Sequence, residues 1–128
     1  MEWQFHSDAP IYAQLVEQLT LRIVTGGYLP GQRLPSVREL AVEAGVNPNT
    51  MQRAMGELER DNLVFSQRTS GRFVTEDTAM IQEAKHTLAS RQIQAFLSAM
   101  DRLGYGRREI ISLLETAEKE ESSHDTNS

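Results

Sequence analysis

Apolar residues recur along this chain at spacings that switch from helical to extended and back. Ile11, Leu15, Leu19 and Ile23 fall four residues apart with Val16 alongside, which predicts an amphipathic helix to about Thr25. Asp8 is placed to cap it, Pro10 lies near its first turn, and Gly26-Gly27 ends it. A turn at Tyr28-Leu-Pro-Gly31 leads to a second helix. Ser36 begins it with Glu39 three residues on, a capping box; Val37, Leu40 and Ala41 share a face; and Gly45 supplies a left-handed stop. Asn47 caps a third helix with Pro48 at its first position. Met51, Ala54, Met55 and Leu58 form its buried stripe, which leaves Asn49, Gln52 and Arg53 outside.

Past Asp61-Asn62 the period shortens. Leu63 to Ser66 reads as a strand, Gln67 to Arg72 as a turn, and Arg72 to Thr75 as the returning strand. From Ile81 to Leu103 a helical stripe returns, made of Ile81, Ala84, Leu88, Ala89, Ile93, Phe96, Leu97, Met100 and Leu103. Gly104-Tyr-Gly106 breaks it, and Ile110, Ile111, Leu113 and Leu114 mark a shorter last helix. The polar end of the chain reads as disordered. The expected fold is mainly α with a small β-hairpin: a winged helix-turn-helix over residues 1–76, a two-helix arm over 77–117, and a tail over 118–128.

Two short helices joined at a glycine, the second opening with amides and an arginine, match the arrangement that places a recognition helix in the DNA major groove. The hairpin after it is a wing, with Arg68, Ser70, Gly71 and Arg72 at its tip. The expected DNA-contacting residues are Arg38, Asn47, Asn49, Thr50, Gln52, Arg53, Arg68, Ser70, Gly71 and Arg72. Asn49 and Gln52 suit bidentate pairing with adenine, and the arginines suit phosphate. Arg33 reads equally well as a solvated turn residue. Gly56 inside the third helix costs about 1 kcal/mol against alanine, and close packing is the expected reason.

Charge refines this picture only slightly. The net charge is −5, yet residues 33–72 hold six arginines against five acids, so the basic side chains gather at the motif. The absence of cysteine excludes a disulfide scaffold and thiolate metal sites. No signal peptide or apolar run of membrane-spanning length is present in the 128 residues, so the expectation is a cytoplasmic chain that makes no membrane contact. Catalytic signals are poor. His6, His86 and His124 are scattered, and Glu83 with His86 makes one isolated Glu-x-x-His, read as an exposed helix face. Neither a metal, nor a cofactor, nor an enzyme activity is expected.

The segments Gly31-Gln-Arg-Leu-Pro-Ser-Val-Arg-Glu-Leu-Ala, Val46-Asn-Pro-Asn-Thr-Met-Gln-Arg-Ala-Met-Gly-Glu-Leu-Glu and Ser70-Gly-Arg-Phe-Val occur in order. With them the chain resembles the GntR family of bacterial transcription regulators, and its small YtrA-type branch in particular. The resemblance implies a dimeric winged-helix repressor on a palindromic double-stranded operator. It implies that Arg38, Asn47, Asn49 and Thr50 contact DNA and that Gly71 forms the wing tip. Larger branches carry arginine where this chain has Pro48 and Gln52, so those contacts are not carried over. The arm is expected to form the homodimer through Leu88, Ile93, Phe96, Leu97, Met100, Leu103, Ile110 and Leu114. It is too short to enclose a typical ligand cavity, so the sequence assigns no effector. The alternative is a winged-helix module that binds protein instead of specific DNA.

Overall fold

A computed structural model describes residues 2–126, with side chains for residues 2–121. Five helices and one antiparallel strand pair follow in the order α1 (Ile11–Val24), α2 (Val37–Ala44), α3 (Pro48–Arg60), β1 (Val64–Gln67), β2 (Gly71–Val74), α4 (Thr78–Arg102) and α5 (Arg107–Thr126). The chain divides into two compact units, Met1–Leu88 and Ala89–Ser128.

In the first unit α3 packs against both α1 and α2. Leu15, Leu19, Leu40, Met51, Met55, Leu58 and Val74 are fully buried between these elements and the hairpin. Each such side chain contributes roughly 1.5–3 kcal/mol through removal from water. Ile81 joins the same core, with Met80, Ala84 and Leu88 packed at its edge. The first unit therefore runs past the expected boundary at residue 76 and takes in the first turns of α4. Asp77 starts that helix, its Oδ1 accepting from the Ala79 and Met80 amides at 3.1 and 3.2 Å.

The helix ends around the turn follow from local chemistry. Ser36 Oγ accepts from the Glu39 amide at 3.1 Å, and Gly45 closes α2 at φ 71°. Asn47 Oδ1 accepts from the Asn49 amide at 2.8 Å, with Pro48 in the first turn. Asp8 does not cap α1. That helix starts after Pro10 without a side-chain cap. Its N-terminal approach is fixed by two amides one turn apart. Gln14 accepts from the His6 amide and donates to the His6 and Ala9 carbonyls, and Gln18 bonds both backbone groups of Gln4. Buried Arg22 locks the same segment: its guanidinium lies 3.8 Å from the Trp3 ring centre and 3.4 Å from the Glu43 carboxylate.

In the wing, Val64 faces Val74, Phe65 faces Phe73, Ser66 faces Arg72 and Gln67 faces Gly71. Alternation buries Val64 and Val74 on one side. The Phe65 and Phe73 rings stack on the other at 5.7 Å. Residues 31–34, expected only as turn and linker, form an outer edge to β2. The Leu34 amide donates to the Arg72 carbonyl at 2.8 Å, and the Val74 amide to Gln32 at 2.9 Å. Arg33 bridges Phe73.

In the second unit Gly104, at φ 89°, ends α4, and Glu109 accepts from the Gly106 amide at the start of α5. Ile110 is buried at 6% exposure, whereas Ile93, Phe96, Leu103, Ile111, Leu113 and Leu114 are exposed. α5 continues to Thr126, so residues 118–126 are helical where an unstructured tail is expected. The run Glu115-Thr-Ala-Glu-Lys-Glu-Glu121 is rich in helix formers and sets Glu115 four residues before Lys119, a favourable pairing. Residues 127 and 128 of the expected tail lie outside the described residues.

Candidate nucleic-acid interface

The polar side of α3 is built by exclusion. Its stripe of Met51, Ala54, Met55 and Leu58 faces the core, so Asn49, Gln52 and Arg53 are left exposed. An open groove runs beside this face between the start of α2 and the wing. Arg33, Ser36, Arg38, Gln52, Gly71 and Arg72 line it. Four of the expected residues therefore meet in one place: Arg38, Gln52, Gly71 and Arg72. Asn49, Arg53, Arg68 and Ser70 are exposed outside it, the last two on the wing turn.

Several of these side chains are already engaged within the chain. The Asn47 side chain is occupied by its cap. Thr50 is half-buried. Arg53 lies flat over Tyr12 of α1, its guanidinium carbon 3.7 Å from the ring centre. That stacking holds the cation on the exposed side of α3 and is worth about 0.5–1 kcal/mol at such a site. Glu57 does not take Arg53; it pairs with Arg60.

Arg72 is paired too. Its Nε donates to Glu59 of α3, and the same oxygen accepts from Ser66 Oγ at 2.6 Å. The Ser66 hydroxyl and then the Arg72 guanidinium hold the Glu59 carboxyl below its usual 4.5. Arg33, for which the sequence leaves a DNA contact and a solvated turn equally open, sits under the wing tip: a Cβ on Gly71 would lie 3.3 Å from its Nε. Gly71 has φ 103°, so the backbone of the tip favours glycine, and a Cβ there would make the Arg33 guanidinium give way by a few tenths of an ångström. The signal that places Arg33 is the pairing of residues 31–34 with β2, which alternation in so short a segment does not reveal.

Residues 11–74 match the family of bacterial regulatory proteins named gntR. The chain belongs to that family. It is similar over nearly its full length to an uncharacterized HTH-type transcriptional regulator, YhcF, of Bacillus subtilis (strain 168), with 39% identity over 91% of this chain and 96% of that one. The HTH-type transcriptional repressor YtrA of the same organism is 36% identical over 71% of each chain. A GntR family transcriptional regulator from Listeria monocytogenes superposes with a TM-score of 0.80 at 38% identity, over 88% of this chain and 98% of that one. The AraR DNA-binding domain, solved in complex with operator ORX1, matches 59% of this chain and 96% of that one at 32% identity and a TM-score of 0.54. The gntR-family chain is thus a winged-helix, DNA-binding transcription regulator rather than an enzyme. No helix among the described residues is long and apolar enough to cross a membrane.

Proposed function

We propose that this gntR-family regulator is a cytoplasmic repressor that binds a palindromic operator as a homodimer. The observation that carries the reading is the joint exposure of Arg38, Asn49, Gln52, Arg68 and Ser70 around the groove between α2, α3 and the wing. Asn49 and Gln52 read base edges, with adenine as the matching partner. Arg33, Arg38 and Arg68 meet phosphates, and Arg53 presents the face not covered by Tyr12. Asn47 acts mainly by starting the recognition helix, its side chain committed to the cap, and the half-buried Thr50 hydroxyl beside it is left to meet a phosphate. The similarity to the AraR–operator complex and to the YtrA repressor supports the same assignment.

The dimer reading rests on apolar surface. Ile93, Phe96, Leu103 and Leu114 are exposed in the single chain, and Leu97 and Met100 half-exposed. A two-fold copy covers both sets with one interface. Leu88 and Ile110 are assigned differently from the sequence expectation: Leu88 packs on the winged core and Ile110 is already buried.

Gel-shift titration tests the DNA surface on a duplex enriched from random DNA. Asn49→Ala should lose about 1–3 kcal/mol at one position of the site, whereas Arg38→Ala should weaken all sequences alike. Unchanged affinity in both variants would remove this surface from the interface. Sedimentation equilibrium tests the arm: the wild type should be a dimer at micromolar concentration and a Phe96→Asp, Met100→Asp double variant a monomer.

A further inference from the structure

Arg72 lines the groove, yet it arrives there with its charge already matched. The Glu59–Arg72–Ser66 cluster joins three elements: Glu59 is the penultimate residue of α3, and Ser66 and Arg72 face each other directly across β1 and β2. Period-two alternation places this cross-strand pair on the same side of the hairpin as Val64 and Val74, the side that packs inward. The side chains of Arg72 and Glu59 are only 22% and 32% exposed, so the pair is partly shielded from solvent. Arg33 and Arg38 line the same groove with exposed side chains and, among the described residues, make no salt bridge.

We propose that Glu59 is the positioning residue of the wing, holding Ser66 and Arg72 against the recognition helix so that Arg72 orients the wing tip instead of neutralising a phosphate. This rests on the DNA-binding reading above and adds to it a division of labour among the groove arginines. A phosphate approaching Arg72 meets a guanidinium with a carboxylate beside it. The net local charge is near zero, and capture of Arg72 would leave Glu59 facing the DNA backbone without its partner. Arg33 and Arg38 have no such competitor and carry the phosphate contacts. The wing tip next to Arg72 is Gly71, which sits on Arg33, so fixing Arg72 also fixes where Arg33 meets DNA.

The test measures affinity by fluorescence anisotropy across a sodium chloride series. The duplexes are one enriched from random DNA and a scrambled duplex of equal length. Each phosphate neutralised contributes about 0.9 to the slope of log affinity against log salt. Glu59→Gln releases the guanidinium, so the slope should steepen by about 0.9 on both duplexes. The ratio of enriched to scrambled affinity should then fall by about tenfold, the size of one lost base contact. The Glu59→Gln, Arg72→Gln double variant should return to the wild-type slope, which loss of folding stability alone does not produce. A slope that drops by about 0.9 in the double variant, or a Glu59→Gln protein with slope and ratio unchanged, would overturn the proposal. A wild-type protein that binds both duplexes equally overturns the DNA-specific reading itself, and this proposal with it.

Discussion

Replacing Gly56 by alanine should stabilise the winged-helix unit. Gly56 sits inside α3 with a negative φ, so its backbone makes no demand that only glycine meets. A Cβ built there comes near one group alone, Arg60 Nη1 at 3.7 Å, which is an ordinary van der Waals contact with the flexible end of a side chain. The gain is then the helix propensity difference, about 1 kcal/mol. Unfolding entropy near 60 °C is about 2.1 cal/mol/K per residue. Over the residues of Met1–Leu88 that gives about 0.18 kcal/mol/K, so Tm should rise by about 5 °C. Circular dichroism at 222 nm reads the melt, and urea titration should show a higher midpoint with an unchanged slope. A Tm equal to or below that of the wild type would show instead that α3 is closely packed at Gly56.

Gly71→Ala should act in the opposite direction: at φ 103° and 3.3 Å from Arg33 Nε the new methyl is strained, and a loss of about 1–3 kcal/mol should appear in chemical denaturation. Arg22→Met removes the cation stacked on Trp3 and paired with Glu43; because Glu43 is half-exposed the loss should be moderate, about 2 kcal/mol by urea titration. Stability should also depend on Glu59 ionisation. Its folded pKa lies below 4.5, so the carboxylate stabilises the fold above that value and the contribution disappears as pH falls through the lowered folded pKa. Urea midpoints taken across this acid range should show that fall in the wild type, and a smaller one in Glu59→Gln.

What was legible in the sequence is what short-range chemistry decides. Ser36, Gly45, Asn47 and Pro48 act within a few residues of themselves, and each sits where its cap or stop requires. The stripe of Met51, Ala54, Met55 and Leu58 is buried as its spacing predicts, because one face of a helix next to a hydrophobic helix pair has no other place to go. Asp8 shows the limit of cap signals: Gln14, six residues on, holds the approach to α1 instead. The polar end of the chain shows another limit, since its polar composition predicts disorder where helix-forming residues continue α5. The missed contacts around the groove and the N-terminal segment are long-range. Nothing in the spacing of Arg33 and Phe73, of Trp3, Arg22 and Glu43, or of Glu59 and Arg72 announces a contact. Those pairings exist only once the helices and wing are assembled. They decide which arginine side chains stand exposed in the groove and which are held within the protein.

The polar face of α3 and the adjoining groove are proposed to recognise a specific DNA sequence. Selection of bound duplexes from a random library tests it most directly. Such a selection should enrich a single palindromic site whose half-sites lie about one helical turn apart, or a multiple of it, as a two-fold pair of recognition helices requires. Recovery of unenriched DNA, or of bound sequences that share no site, would contradict it.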